Sequence, residues 1–374
     1  MRHTNSRSLR LLHVAPLPPP VTGIGVSFQH FIASAPLAAH ANWVINSAGR
    51  PARSSGAKRP TPRRILRHVW LTARVMRVAR EQHVDVVHLH GSSHDLSFIA
   101  NGACVAATSL VGARTVWHLH EDLSVVQFPG RGALTRATFA TLARAPSTLA
   151  LLTEKDGMIA RRYVPEHRLA VIPPTCSPEM LSIPLARARG SLRVLFVGWL
   201  SAAKGIFDLL RVAHLARHRI AGLEFSVLGI ARSEAESRSV QTFIDQHNLG
   251  SVVKLCGLVT GTDKQRMFAD SHLFFLPTHW DAFPVTLLEA MSAGLPVVGT
   301  RVGGLPLMLE DGRGARLARV GDVETMVEHL VALAADPDLR LQMGRVNRQR
   351  FLDQYHPDRV GQRAVDVYRR LAST

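Results

Sequence analysis

Short apolar runs alternate with longer amphipathic segments along almost the entire chain. Runs of about four to eight apolar residues, bounded by glycine, proline or polar residues, are typical of buried parallel strands. Segments in which apolar residues recur every three or four positions are typical of helices that cover such strands. The clearest strands are predicted at Leu9 to Ala15, Asp85 to His90, Arg114 to His120, Leu192 to Val197 and Leu273 to Leu276. This alternation predicts an α/β protein with doubly wound parallel sheets.

The length of 374 residues predicts two such domains, because a single hydrophobic core seldom extends over so long a chain. We place the first domain at residues 1–180 and the second at residues 190–355. Residues 174–190 contain Pro178 and Pro184 and end in an arginine-rich segment, so we interpret them as a hinge. A helix over Pro357 to Leu371, within residues 356–374, is predicted to return to the first domain.

One stretch, residues 277–304, combines a polar loop, a helix, a second buried strand and a pair of glycines. Pro284 suits the first helical position, because its φ is fixed and its missing N–H is not needed there. Gly294 is predicted to end this helix. The strand that follows leads to Gly303 and Gly304, where backbone can approach a bound molecule closely.

Two carboxylates, Asp281 and Glu289, flank the start of this helix and are separated by seven residues. The N–H groups of the first turn lie between them and attract phosphate, while the acids can accept hydrogen bonds from sugar hydroxyls. This geometry suits a nucleotide-sugar. The alternative takes Asp281 as a turn residue and Glu289 as a partner in an ion pair at the edge of the core.

The stretch resembles the acid-x7-acid motif of retaining glycosyltransferases of family 4, and separately placed segments extend the resemblance over most of the chain. The resemblance implies the GT-B fold, in which two Rossmann-like domains face a central cleft. It also implies that the second domain binds a nucleoside-diphosphate sugar, that the first binds the acceptor, and that transfer proceeds with retention. No cofactor or metal is required. A nucleotide-sugar epimerase of the same fold is the alternative within this resemblance.

The resemblance assigns four residues to the reacting groups. Lys204, just before a predicted helix, matches the lysine that neutralises the diphosphate. His120 matches a histidine that contacts the donor sugar. His118, two residues earlier on the same strand, would then have only a structural role. Asp281 is assigned to the donor sugar and Glu289 to the ribose hydroxyls. The predicted substrate-binding residues are Gly23, Gly25, Trp199, Ala282, Phe283, Pro284, Val285, Thr286, Gly303 and Gly304.

The sequence departs from the family pattern at several of these segments. Trp199 stands where an arginine is usual, so one expected cation is missing. Lys204 and the helix N-terminus are then expected to neutralise more of the diphosphate charge. Leu307 occupies a place that is often glutamate, which removes a hydrogen bond to the donor. Gly23 and Gly25 are predicted to let the backbone turn tightly after the first strand, at the edge where open α/β sheets bind ligands.

Two predicted strands each end in His-x-His, at His88 and His90 and again at His118 and His120. Residues i and i+2 of a strand share a face, so the four rings could form a metal site. A metal-dependent hydrolase is therefore the rival class. The doubly wound pattern already explains both strand ends, and only Glu121 and Asp122 follow as further oxygen ligands in the sequence.

The positive charge is concentrated in the first part of the chain. Residues 1–80 contain thirteen of the lysines and arginines and no aspartate or glutamate, while the whole chain has a formal net charge of +17. A basic loop at residues 49–64 precedes a helix predicted at Ile65 to Gln82, whose apolar side comprises Leu66, Val69, Trp70, Ala73 and Met76. This combination predicts that an anionic membrane surface is a partner, bringing the enzyme to a glycan or lipid-linked acceptor. The alternative is that this apolar side packs on the sheet.

Other partners and compartments are less consistent with the sequence. Aromatic residues make up only 6% of the chain and none interleave with the basic run, so nucleic acid is not an expected partner. Three widely spaced cysteines suit a reducing cytoplasm. No apolar run approaches the roughly 18 residues of a membrane span, which predicts a cytoplasmic protein held peripherally on the inner face of the membrane.

Overall fold

A computed structural model describes residues 7–19, 22–48, 61–91, 95–123, 133–186 and 190–373. The chain divides into two compact units, each with its own sheet and core. The first unit comprises Met1–Cys176 and Pro357–Thr374, and the second comprises Ser177–His356. The predicted hinge at 174–190 differs from this division, because the 3-10 turn Pro178–Ser182 packs within the second unit.

The first unit contains a parallel six-stranded sheet in the order β2-β1-β3-β4-β5-β6. This order, in which the chain moves outward from β1 in both directions, is that of a doubly wound sheet. Its strands are β1 Arg10–Ala15, β2 Ala41–Asn46, β3 Val86–Gly91, β4 Arg114–Leu119, β5 Thr148–Leu151 and β6 Leu169–Val171. Its helices are α1 Gly23–Ile32, α2 Ala35–Ala38, α3 Pro62–Glu81, α4 Asp95–Ser109, α5 Ala133–Leu142 and α6 Glu154–Ala160.

The second unit repeats this architecture with the sheet order β12-β11-β10-β7-β8-β9. Its strands are β7 Arg193–Val197, β8 Glu224–Leu228, β9 Val253–Gly257, β10 Leu273–Leu276, β11 Val297–Thr300 and β12 Ala315–Ala318. Its helices are α7 Ile206–Ala216, α8 Glu234–Gln246, α9 Gly261–Asp270, α10 Val285–Ser292, α11 Leu305–Met308, α12 Val323–Ala335 and α13 Pro337–Gln354. The predicted fold class, two doubly wound α/β domains, is thereby confirmed.

The last helix, α14 Pro357–Ala372, packs in the first unit against α1 and α2 and against β3. Its apolar side chains, among them Val360, Ala364 and Tyr368, join the core on one face of the first sheet. The opposite face is covered by a second cluster that includes Trp117 and Phe139. Both faces of the sheet are therefore buried, as a parallel sheet requires.

Helix α3 does not pack on the sheet through its predicted apolar side, which was the alternative to a membrane-facing side. Val75 and Ala79 lie in the core of the first unit. Leu66, Val69 and Trp70, which the sequence places on the apolar side, are exposed. The helix packs on the sheet only toward its C-terminal end, since the burial of a helix is set by its tertiary neighbours.

The expected basic loop lies largely outside the described residues, because residues 49–60 are not among them. None of the helices in the described ranges combines the length and the apolar composition that a bilayer crossing requires.

Candidate functional site

Three loops converge at the carboxyl edge of the second sheet. They follow β7, β10 and β11, and hydrogen bonds tie them together. The backbone N–H of His279 donates to the carbonyl oxygen of Ala203 at 3.0 Å, and the Thr278 hydroxyl donates to the same oxygen at 3.2 Å. The N–H of Gly304 donates to the carbonyl oxygen of Asp281 at 3.2 Å. The carboxyl edge of an open α/β sheet is where such folds bind ligands.

Glycine is required where these loops touch. Gly205 has a φ of 75°, and a Cβ on it would lie 1.9 Å from the carbonyl oxygen of Pro277. Gly303 has a φ of 52°, and its Cβ would lie 1.7 Å from the carbonyl oxygen of Asp281. From the sequence, we predict that Gly303 and Gly304 allow a ligand to approach the backbone closely. In the structure, the loop after β10 makes that close approach itself.

Lys204 and Asp281 form an ion pair within this edge of the sheet. The ammonium of Lys204 donates to Asp281 Oδ2, and the N–H of Phe283 donates to Asp281 Oδ1 at 3.2 Å. Lys204 ends a short 3-10 turn, and Gly205 then begins α7 in the left-handed conformation. The two residues predicted to bind the diphosphate and the sugar are therefore in direct contact with each other.

Glu289 is also paired with a lysine, Lys264, which the sequence pattern does not single out. Lys264 on α9 places its Nζ 2.7 Å from Glu289 Oε1. The Glu289 side chain is 9% exposed and that of Lys264 is 20% exposed, so this pair is largely shielded from water. The observation agrees with the alternative that Glu289 is an ion-pair partner.

The helix that carries Glu289, α10, begins one residue later than predicted. Pro284 is its N-cap, with φ −69° and ψ 118°, and Val285 is its first helical residue. The other predicted binding residues lie around this start: Ala282 and Phe283 in the loop, and Thr286 in the first turn. Helix α10 ends as predicted, with Gly294 at a φ of 71°.

Several further residues of this edge were not identified from the sequence. The guanidinium carbon of Arg232 lies 5.1 Å from the centre of the Trp199 ring, so a cation stands beside the position where arginine was expected. The buried carboxylate of Asp208 lies 2.6 Å from His279 Nε2. Arg211 donates to the same carboxylate at 2.9 Å. Asp208 and Arg211 are three residues apart on α7, whereas the contacts of Arg232 with Trp199 and of His279 with Asp208 depend on how separate segments meet.

Gly23 and Gly25 lie in a helix rather than in a turn, contrary to the prediction. Thr22 caps α1, and its Oγ1 accepts a hydrogen bond from the Gly25 N–H at 3.1 Å. A Cβ on Gly25 would lie 2.8 Å from the carbonyl oxygen of Pro16. Gly25 thus allows α1 to begin close to the segment that leaves β1.

The predicted histidine pairs of the first unit form one cluster. The rings of His88 and His90 stack with centroids 4.0 Å apart, and those of His118 and His120 lie 4.1 Å apart. His90 Nδ1 is hydrogen-bonded to His120 Nε2 at 3.1 Å. A fifth ring, His13 on β1, lies 5.8 Å from that of His88. The sequence pattern missed His13, because it has no partner two residues away.

Burial keeps the histidine cluster neutral. It lowers the pKa of His13 to about 4 and that of His118 to about 3. Burial, reinforced by the neighbouring histidines, also holds the pKa of His88, His90 and His120 well below the usual range. At neutral pH each ring therefore offers one unprotonated nitrogen, which is the form that accepts a hydrogen bond or binds a metal.

Comparison with known proteins finds a family match within the second unit. Residues 183–350 match the sequence profile of Glycosyl transferases group 1. N-acetyl-alpha-D-glucosaminyl L-malate synthase of Bacillus anthracis is 31% identical over 27% of this chain and 27% of its own length. The colanic acid biosynthesis glycosyltransferase WcaL of Escherichia coli K12 is 26% identical over 46% of this chain and 43% of its own. The chain thus spans less than half of the length of these two relatives.

A longer match and two solved structures extend the likeness to the remaining residues. D-inositol 3-phosphate glycosyltransferase of Saccharomonospora viridis is 25% identical over 81% of this chain and 68% of its own length. A glycosyltransferase of Rickettsia africae superposes with a TM-score of 0.76 at 13% identity, over 98% of this chain and 99% of its own. Anabaena HepE, solved in complex with UDP, gives a TM-score of 0.73 at 14% identity, over 97% and 100%. The family resemblance and the GT-B fold are confirmed.

Proposed function

Because residues 183–350 belong to the Glycosyl transferases group 1, we propose that the chain is a glycosyltransferase that uses a nucleoside-diphosphate sugar. The acceptor is a glycan or lipid-linked molecule in the synthesis of cell-surface polysaccharide or glycolipid. The observation that carries the proposal is the pair of lysine–carboxylate contacts, Lys204 with Asp281 and Lys264 with Glu289. Both lie in the unit that matches the family, beside loops at the carboxyl edge of its sheet.

In the proposed site, the donor's diphosphate takes the place next to Lys204. The ammonium then exchanges part of its contact with Asp281 for phosphate oxygens, and Asp281 becomes available to hydroxyls of the sugar. Backbone N–H groups at the start of α10 favour the same anion. Since these groups supply the positive charge, we propose that donor binding needs no metal ion.

The proposed transfer retains the configuration at the anomeric carbon. The bond between that carbon and the diphosphate oxygen breaks, and the acceptor oxygen bonds to the carbon on the same face. The acceptor's hydroxyl proton moves to the departing phosphate oxygen, so no side-chain nucleophile is needed. Lys204 stabilises the charge that develops on the leaving diphosphate, which is an interaction made more strongly in the transition state than in the ground state. A contact of His120 with the donor sugar stays a prediction.

A thermal-shift panel of nucleoside diphosphates and their sugars tests the donor site. A ligand at about 100 times its dissociation constant should stabilise the protein by roughly 2.7 kcal/mol. The parent should show that shift with added Mg²⁺ and also with added chelator. Lys204→Ala should abolish it under both conditions. The matched control is Lys254→Ala, which breaks a lysine–glutamate pair of 2.6 Å with Glu224 elsewhere in the same unit. A panel without any stabilising nucleotide, or a full shift in Lys204→Ala, would contradict the proposal.

We also propose that the first unit docks on the anionic inner face of the membrane through α3. Four apolar side chains of its N-terminal half, which we call the exposed face of α3, are each 54% to 67% exposed: Ile65, Leu66, Val69 and Trp70. Arginines at 63, 64 and 67 lie on the same turns. Apolar groups that enter the headgroup boundary beside cations that attract anionic lipid are the two components of interfacial binding.

Liposome co-sedimentation tests the docking surface. The parent should bind anionic vesicles and be released by salt, because the attraction is screened within about a Debye length. Changing Arg63, Arg64 and Arg67 to Gln should abolish binding, since each cation near the surface contributes about 1 kcal/mol. The control removes the same charge from the second unit by changing Arg238, Arg266 and Arg313, all exposed, to Gln. Equal losses in both variants, or equal binding to neutral vesicles, would argue against a specific docking face.

A further inference from the structure

Three buried histidines of the first unit come together from two adjacent strands. His13 on β1 is the register partner of His88 on β3, and His90 follows two residues later on the same strand. Residues i and i+2 of a strand share a face, so the three rings project from the same side of the sheet. One ring nitrogen of each lies within 4.8 Å of one from each of the others. All three residues are buried.

Each of the three rings uses one nitrogen in a hydrogen bond that fixes its orientation. His13 Nε2 lies 3.1 Å from Asn42 Oδ1, and the Asn42 amide nitrogen donates to two carbonyl oxygens. That amide orientation makes Oδ1 the acceptor, so His13 carries its proton on Nε2 and has its lone pair on Nδ1. His88 Nδ1 is bonded to the Tyr368 hydroxyl, and His90 Nδ1 to His120.

The other nitrogens of these rings have no hydrogen-bond partner within the described part of the chain. They are His13 Nδ1, His88 Nε2 and His90 Nε2, and all are shielded from solvent. A buried polar atom normally finds a partner, since leaving one unsatisfied lowers the stability of the fold. Three such atoms on neighbouring rings therefore point to a common ligand, and a metal ion fits that role when His88 and His90, like His13, carry their protons on the hydrogen-bonded nitrogens. We call the hydrogen-bonded nitrogen of each ring its outer nitrogen and the other its inner nitrogen. Metal-binding histidines have this arrangement, because a hydrogen bond at the outer nitrogen orients the ring while the inner nitrogen binds the metal.

We propose that His13, His88 and His90 bind a divalent transition metal ion, with zinc as the chemical type that imidazole ligands favour. Zinc–nitrogen bonds of about 2.0–2.1 Å place tetrahedral ligands roughly 3.4 Å apart, so the ring nitrogens, now within 4.8 Å of one another, would draw closer on binding. The ring of His118 lies 5.3 Å from those of both His88 and His90 and is the nearest further ligand. Asn42 and Tyr368 hold the outer nitrogens in place.

The metal would have a structural task that is separate from sugar transfer. It would join β1 to β3 and, through the Tyr368–His88 hydrogen bond, link both strands to α14. The alternative of a metal-dependent hydrolase places the metal on the four histidines of β3 and β4. The present triad instead takes its third ligand from β1 and leaves His120 free of the metal.

Metal titration of the full chain tests the site. After chelator treatment and desalting, the parent should bind one equivalent of Zn²⁺ and melt at a higher temperature than the apo protein. Co²⁺ should give the visible absorption of a nitrogen-ligated, tetrahedral site. His88→Gln should raise the dissociation constant for Zn²⁺ at least tenfold. His167→Ala, which removes an exposed histidine of the same unit, should leave it unchanged.

The parent titration keeps the test valid if His88→Gln does not fold. Failure of the folded parent to bind Zn²⁺ would overturn the proposal. So would equal stoichiometry in the parent and a folded His88→Gln variant, because the ion would then sit elsewhere. The nucleoside-diphosphate shift should be the same in apo and zinc-loaded parent, so failure of the metal site can be told apart from failure of the donor site.

Discussion

Replacing Glu289 with glutamine separates two roles that the structure allows for this residue. The carboxylate is paired with Lys264 Nζ at 2.7 Å, and both side chains are mostly shielded from water. The change keeps the shape and one acceptor oxygen but removes the charge. If Glu289 only neutralises Lys264, the variant loses stability and nothing else. If Glu289 also accepts hydrogen bonds from ribose hydroxyls, the variant loses nucleotide affinity as well.

The expected losses follow from the exposure of the pair. A hydrogen bond to a charged group contributes about 1.5–3 kcal/mol, and the glutamine keeps such a bond to the Lys264 ammonium but loses the attraction between opposite charges, so the variant should lose roughly 1–2 kcal/mol of stability. Lys264 is 20% exposed and can turn its ammonium toward water, which keeps the loss below the 3–5 kcal/mol or so of a fully buried pair. For a unit of this size, the melting temperature should fall by about 2–8 °C. A lost ribose contact should cost a further 1–3 kcal/mol or so of binding, roughly 5- to 150-fold in Kd.

Calorimetry with nucleoside diphosphates, together with thermal melts, measures both effects. The control is Glu224→Gln, which alters another glutamate–lysine pair in the same unit, with 2.6 Å between Lys254 Nζ and Glu224 Oε2. We expect Glu289→Gln to lower both stability and affinity, and Glu224→Gln to leave affinity unchanged. A double-mutant cycle with Lys264→Met isolates the pair, since its two members should be non-additive in stability. Unchanged nucleotide affinity in a folded Glu289→Gln variant would refute the ribose role and leave Glu289 as a structural partner.

Two further predictions concern the cation beside Trp199 and the histidine cluster. Arg232→Gln should weaken nucleoside-diphosphate binding by about tenfold in calorimetry. We expect this because the Arg232 guanidinium lies over the ring of Trp199, the position at which an arginine is usual, and can supply the missing positive charge. An unchanged Kd would contradict this prediction. The chelator-treated protein should lose stability as the pH falls. The pKa of His13 and of His118 is lowered from 6.5 to about 4 and about 3, so the unfolded chain binds more protons below pH 6.5. This stability is fully present above pH 6.5 and lost as the pH falls toward those values, by about 1.4 kcal/mol for each ring at pH 5.5. Equal urea midpoints at pH 7.5 and 5.5 would show that the rings are not held neutral.

The sheets could be predicted from the sequence because each strand is a local feature. An apolar run between glycines and polar residues defines a buried strand whatever surrounds it, and β7 and β10 match the prediction to within a residue. The covering helices were also found, with bounds that shift by a few residues. For α3 the sequence offered two interpretations of the side with Leu66, Val69 and Trp70, a membrane-facing side or a side packed on the sheet, and the structure leaves these residues exposed. Only the neighbours in the fold decide which side is covered.

The candidate site was predictable as a set of positions but not as a set of contacts. Lys204 and Asp281 were found in loops that follow strands, and Glu289 was found on the helix after the second of these loops, at the seven-residue spacing of the motif. The residue that pairs with Glu289 could not be predicted from the sequence. Lys264 lies 25 residues from Glu289 along the chain, on a helix whose amphipathic pattern is explained equally well by exposure to solvent. An isolated lysine on such a helix carries no signal of the carboxylate that it faces.

The histidine cluster shows why strand order matters more than motif spacing for assigning a metal. His-x-His on two strands suggests four ligands, since the motif is visible within each strand. The order β2-β1-β3-β4 places β1 beside β3, and the parallel register sets His13 opposite His88. His120 is then hydrogen-bonded to His90, whereas the inner nitrogens of His13, His88 and His90 have no such partner among the described residues. Strand order, which no motif within a single strand reveals, therefore decides which of these rings can meet at one point.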